Sequence, residues 1–163
     1  MNDWKKDLQK NHGGGYQGNQ GNRNYNSPRE SSYGLPKGYL EGGYFDQEGY
    51  LKDKLITDAA SDVAKGFGKE MSNSQLRRFY GHVKTAEKAY SYSKDTKKLI
   101  NDVSLILSFA AEAKGKEKVP SVFYDFIHKN IQNIKTAKDI LKGFIPHFQA
   151  VVAYFTYHYP GSK

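Results

Sequence analysis

The chain has 163 residues, no cysteine and a formal net charge of +8. A disulfide framework and a thiolate metal site are therefore excluded, and no apolar run approaches the roughly 20 residues that span a bilayer, so a soluble cytoplasmic protein without a membrane partner is expected. Net positive charge with a pI near 9.4 puts nucleic acid first among candidate partners. The charge is local: residues 65–100 carry nine Lys or Arg against three acids, whereas residues 41–64 carry two against six.

Met1 to Lys10 lacks the apolar stretch of a secretory signal. The segment "GGGYQGNQGNRNYNSPRE" is rich in Gly, Asn, Gln and Tyr, with too little aliphatic content to offset the entropy of ordering its backbone. Residues 1–43 are expected to be a disordered low-complexity tail, residues 44–159 a helical bundle and residues 160–163 a C-terminal tail. Past Phe45 the apolar residues recur with a period of 3.6. Leu51, Leu55, Ile56, Ala59, Ala60 and Val63 share one stripe, which predicts a helix from about Glu48 to Lys65 that ends near Gly66 and Gly68. Its other face is acidic, with Asp53, Asp58 and Asp62. "MSNSQLRRFYGHVK" opens a second helix, with Ser72 as N-cap, Gln75 as capping-box partner and Met71 positioned to staple onto Leu76. A third helix runs from an Asp95 cap to about Ala113 and is apolar nearly all round past Val103, which predicts the central position. Gly115 stops it. Pro120 starts a fourth helix that uses Phe123, Phe126, Ile127, Ile131 and Ile134. The last helix covers "IPHFQAVVAYFTYHY", with Pro146 either in its first turn or kinking a longer helix that begins near Ala137. The fold class is all-α, a compact bundle of about five helices with short links.

On the second helix Leu76, Phe79, Tyr80, Val83, Ala86 and Tyr90 fall on the core side. Relative to Arg77, Lys84 lies at about −20°, Lys88 at about +20° and Gly81 at about +40°, while Arg78 is roughly 100° away toward His82. Arg77, Gly81, Lys84 and Lys88 thus form one line. A merely solvated face is the bland alternative. Against it, Glu87 is expected to point away from the line, leaving Lys84 and Lys88 to repel, and Gly81 costs about 1 kcal/mol in a helix interior unless another backbone approaches closely. A polyphosphate strand suits both features, because Arg and Lys grip phosphate without reading bases. Tyr92 could add a stacking face.

Catalytic chemistry is poorly supplied. His12, His82, His128, His147 and His158 lie on different predicted segments, and none has a helical ligand spacing to another His, Asp or Glu. Asp125 and His128 are three apart, a common surface arrangement. No enzyme activity, cofactor or metal site is expected.

Taken together, "GYFDQEGYLKDKLI" (43–56), "MSNSQLRRFYGHVK" (71–84) and "FIPHFQAVVAYFTY" (144–157) resemble the small subunit of the Csm complex, the type III-A CRISPR effector. The resemblance covers roughly Tyr44 to Tyr157. It implies a non-catalytic helical protein present in several copies, stacked head to tail along other Csm subunits and lining the groove that holds target RNA paired with guide RNA. Carried onto this chain, the shared arginines are Arg77 and Arg78, and the basic groove continues through Lys84 and Lys88. The family's basic position after an aromatic-alanine stretch falls in "FAAEAKGK", at Lys114 and Lys116. Relatives often have Arg where this chain has Lys114, which weakens a bidentate phosphate contact there. Two other readings stay open: a general RNA-binding or condensate-forming protein acting through its Tyr- and Gly-rich tail, and a structural adaptor docking basic neighbours on its acidic helix.

Overall fold

The computed structural model describes residues Gly34–Ser162. The disorder expected for residues 1–33 lies outside the described residues. Five α-helices follow in order: α1 Asp58–Phe67, α2 Asn73–Ser93, α3 Thr96–Gly115, α4 Ser121–Asn133 and α5 Ile145–His158. Short 3-10 turns at Asp53–Leu55 and Gly68–Glu70 bracket α1, and a π-helical turn, Asp139–Phe144, leads into α5. The described residues contain no β-strand, only an isolated antiparallel bridge between Phe45 and Leu51.

That bridge explains why the first helix starts ten residues later than its apolar stripe suggests. The Asp46 carboxylate accepts the backbone N–H groups of Glu48 and Tyr50 at 3.0 and 2.9 Å, and Gly49 takes φ 86°, which together bend the chain back on itself. Leu51 and Leu55 still pack toward the core, but from the turn and the 3-10 segment. Upstream, the packed chain includes residues on the tail side of Tyr44: Tyr39 and Leu40 are buried. The Lys52 ammonium donates to the carbonyls of Glu41, Gly42 and Gly43 at 3.0–3.1 Å and so clasps the turn that carries them.

The central helix is α5 and not α3. α5 packs against α1, α2 and the π turn, and it buries Ile145, His147, Phe148, Val151 and Phe155. α3 packs chiefly on α2 and α4, leaving Leu105 and Phe109 exposed. Its apolar circumference predicted burial on all sides, but α1 sits on α5 instead and leaves one face of α3 uncovered. Aromatic contacts join the layers: Phe67 of α1 meets Phe123 and Phe126 of α4 edge-on at 5.4 and 5.6 Å, and Phe126 meets Phe148 of α5 at 5.2 Å.

Pro146 sits within a longer helix that runs over residues 137–158. Having no N–H, it cannot continue the α-helical ladder, and the π turn just before it re-registers the hydrogen bonds. The same turn brings Gly143 under the Tyr44 ring, where an added Cβ would lie 2.6 Å from the ring carbon Cγ. From there a buried hydrogen-bond chain runs through the core. Tyr44 O–H donates to Asn130 Oδ1 at 2.9 Å, Asn130 Nδ2 donates to Tyr39 Oη at 2.9 Å, and Tyr39 O–H donates to His147 Nε2 at 2.5 Å. His147 Nδ1–H donates in turn to the Leu55 carbonyl.

Gly143→Ala is expected to destabilise the protein by about 1–3 kcal/mol, since the ring it would strike is held at both ends, and urea denaturation will measure the loss. Burial also lowers the His147 pKa from 6.5 to about 4. The folded state then refuses a proton that the unfolded chain accepts, so stability present above pH 6.5 is lost as the pH falls toward 4, by on the order of 3 kcal/mol. A His147→Gln variant should show a shallower decline of its urea midpoint between pH 6.5 and 4.5 than the parent.

Candidate nucleic-acid interface

The N-terminus of α2 is fixed by the expected capping box. Ser72 Oγ accepts the Gln75 N–H at 3.1 Å, and the Gln75 side-chain oxygen accepts the Ser72 N–H at 2.9 Å. Met71 and Leu76 are both fully buried. The rotation of the helix is then set by contacts on either flank. On one flank Asn73 accepts a hydrogen bond from Thr156 of α5 at 3.0 Å, and the Tyr80 ring packs edge-on against Phe148 at 5.4 Å. On the other, His82 Nε2–H donates to the Asp102 carbonyl of α3 at 3.0 Å. The arc between these flanks faces solvent, and it holds Arg77, Gly81, Lys84 and Lys88, all exposed. Lys84, Thr85, Glu87, Lys88 and Ser91 line a shallow depression toward the C-terminal half of the helix. Tyr92 lies just beyond it and is 81 % exposed.

One expectation about this line is corrected. Lys84 is not left to repel Lys88, because its ammonium pairs with Glu87, which also raises the Lys84 pKa. Residues three apart are neighbours on a helix, and the lysine stem reaches across the intervening 60° or so. Among the described residues, Arg77, Arg78 and Lys88 form no ion pair.

The six candidate residues do not share one surface. Arg77, Lys84 and Lys88 lie along the outer face of α2. Arg78 turns toward α3 and lines a cleft between the two helices together with Lys116. Lys116 is paired with Glu112 of the preceding turn. Lys114 is half-buried on the other side of α3, its ammonium 4.7 Å from the centre of the Tyr124 ring of α4. This cation–π contact ties Lys114 to the bundle.

His12 lies outside the described residues, and the other histidines make contacts within the bundle. His147 is buried, and His128 stacks on Tyr124 and hydrogen-bonds Gln132 and not Asp125. His158 bonds Ser61 at 2.9 Å across the α1–α5 contact. Among the described residues no group of three or more His, Asp or Glu side chains could hold a metal ion, and no helix is long and apolar enough to cross a membrane.

A family model described as Csm2 Type III-A matches residues 51–160. No curated protein and no solved structure matches the chain.

A Cβ added at Gly81 would meet nothing within 4 Å, so the glycine answers no packing need within the described bundle. Gly81→Ala is expected to stabilise the protein by about 0.5–1 kcal/mol, read as a raised thermal midpoint. If a strand approaches the helix at this point, the same variant will bind it more weakly despite its greater stability.

Proposed function

The chain belongs to the Csm2 Type III-A family, as a small subunit of the type III-A CRISPR Csm complex, and from that premise we propose that its α2 face holds the backbone of target RNA without reading its sequence. The observation that carries this reading is the solvent-facing line Arg77, Gly81 and Lys88, with two cations that have no ion-pair partner among the described residues and an open glycine between them. Guanidinium and ammonium groups bind phosphate by charge and hydrogen bonding and carry no base preference of their own. Lys84, already neutralised by Glu87, contributes less than Lys88. Arg78 engages the strand from the adjoining cleft, where Lys116, paired with Glu112, contributes less. Lys114, held on Tyr124, is the weakest of the six.

The protein acts without catalysing a reaction, in the cytoplasm, alongside the other Csm subunits and the target RNA with its guide RNA duplex. Asp53, Asp58 and Asp62 are exposed on and just before α1, away from the α2 line in sequence. An acidic face and a basic face on one small bundle favour head-to-tail stacking of copies, which would run the α2 faces into a continuous groove.

Arg77→Glu combined with Lys88→Glu, in a reconstituted complex, should reduce target-RNA retention at least tenfold and by the same factor for unrelated target sequences. Lys84→Glu alone should cost less. On single-stranded RNA each lost phosphate contact should lower the slope of log affinity against log salt by about 0.7. Unchanged retention in the double variant would sink the proposal, and deletion of residues 1–33 tests whether the tail does the binding instead.

A further inference from the structure

His147 of α5 holds one segment of the chain at two points, and it does so in opposite roles. Its Nε2 accepts the Tyr39 O–H at 2.5 Å, while its Nδ1–H donates to the Leu55 carbonyl. Residues 35–54 form a strap with fastenings of its own. Lys52 clasps the carbonyls of Glu41, Gly42 and Gly43, Phe45 bridges to Leu51, and the Asp46 carboxylate holds the turn between them. A moving strap would keep all of these. On the bundle side, Tyr44 donates to Asn130 of α4 at 2.9 Å, and the Lys138 ammonium donates to the Gly49 carbonyl at 3.0 Å and lies over the Phe45 ring. Ile56 and Thr57, where the chain passes on into α1, are exposed.

The direction of the His147 bonds decides what a proton does to them. Neutral His147 meets the Tyr39 O–H with a lone pair, but once Nε2 is protonated two hydrogens face each other along that bond. If Tyr39 turns to accept instead, its own O–H is left without an acceptor in an apolar core. The groups that face the ring supply no compensating charge. They are Tyr39 and the Leu55 carbonyl on the strap side and Phe126 of α4 at 5.8 Å, with Asn130 of α4 behind Tyr39. Burial pushes the pKa of the Tyr39 hydroxyl up, so it stays neutral and cannot serve as a counter-ion. The Leu55 bond differs, because Nδ1–H donates in either state. An imidazolium here therefore breaks one of the two bonds and spares the other.

We infer that residues 35–54 are an acid-released strap: a proton on His147 breaks the Tyr39 link, water reaches the ring, and the segment swings outward from a hinge at Leu55, Ile56 and Thr57 while the five helices stay packed. The Leu55 bond is the pivot. Lifting the strap carries Tyr44 off Gly143 and uncovers Phe126, whose ring centre lies 6.3 Å from that of Tyr39 when the strap is closed. Under the closed strap the His147 pKa is lowered from 6.5 to about 4, so the open state binds the proton more readily and gains population as the pH falls through that window. The strap acts this way whatever the α2 face binds.

Hydrogen exchange of the full chain, read by mass spectrometry and corrected for the intrinsic pH dependence of amide exchange, tests the strap. Between pH 7.5 and 4.5 the opening of residues 35–54 should increase by at least about tenfold, while α2, α3 and α4 keep their protection. His147→Gln offers an N–H for Leu55 and an oxygen for Tyr39 without a titrating proton, and its strap should stay closed at pH 4.5. In the parent protein, without any substitution, the NMR titration of the His147 ring and the exchange of the strap should share one midpoint. A strap that stays closed at pH 4.5 would overturn the proposal, and so would a strap that opens only together with the helices. Equal opening in His147→Gln, or a ring that takes its proton beneath a closed strap, would do the same.

Discussion

The arrangement of this bundle depends on one buried line of hydrogen bonds. Tyr44, Asn130, Tyr39 and His147 each donate to the next group, in a single direction that ends on the Leu55 carbonyl, and no buried side-chain nitrogen or oxygen among the described residues lacks a partner. Each link is worth only about 1 kcal/mol net, but a missing partner exposes its neighbour to the full cost of an unsatisfied polar group in an apolar core. Leu55 precedes α1, Asn130 belongs to α4 and His147 to α5. The line therefore fixes how α1 and α4 sit on α5, and α5 in turn sets the rotation of α2 through Asn73 and Tyr80.

The placement of charge follows from that rotation. α2 shows solvent chiefly the arc left between its α5 and α3 contacts, and Arg77, Lys84 and Lys88 occupy that arc, while Asp53, Asp58 and Asp62 are exposed on and just before α1. Here the polar network lies inside the bundle and the charged residues outside it, so changing the surface leaves the internal line intact.

Much of the fold was legible in the sequence because local signals agreed with packing. The Ser72–Gln75 capping box, the Asp95 cap, Gly115 and Pro120 all mark real boundaries. What misled was information carried by distant contacts. The stripe from Leu51 to Val63 is compatible with a helix, but the Asp46 side chain and Gly49 offer the backbone a competing turn. The apolar girth of α3 indicated burial without saying which partners would cover it. Asn130 lies at the centre of the stripe formed by Phe123, Phe126, Ile127, Ile131 and Ile134, and a lone amide in that position was the available sign of a buried polar network. Tyr39 and Leu40, set among glycines, had no periodicity to reveal their burial. For the candidate site, the helical wheel placed Arg77, Lys84 and Lys88 together and set Arg78 apart from them, but it took the neighbouring helices to hold Lys114 on Tyr124 and to leave Phe109 exposed.

Buried and half-buried hydrogen bonds also join residues far apart in the sequence. Tyr39 and His147 are 108 positions apart, Ser61 and His158 are 97 apart, and Asn73 meets Ser162. During synthesis the ribosome releases the early segments first, yet the partners that satisfy Tyr39 and Leu55 and cover α1 belong to the last helix. α2, α3 and α4 can pair as they emerge, but the packing that seats the first helix must wait for α5 to clear the exit tunnel. Folding of α1 therefore depends on α5, and the rotation that orients the basic face of α2 is complete only once α5 has joined the bundle.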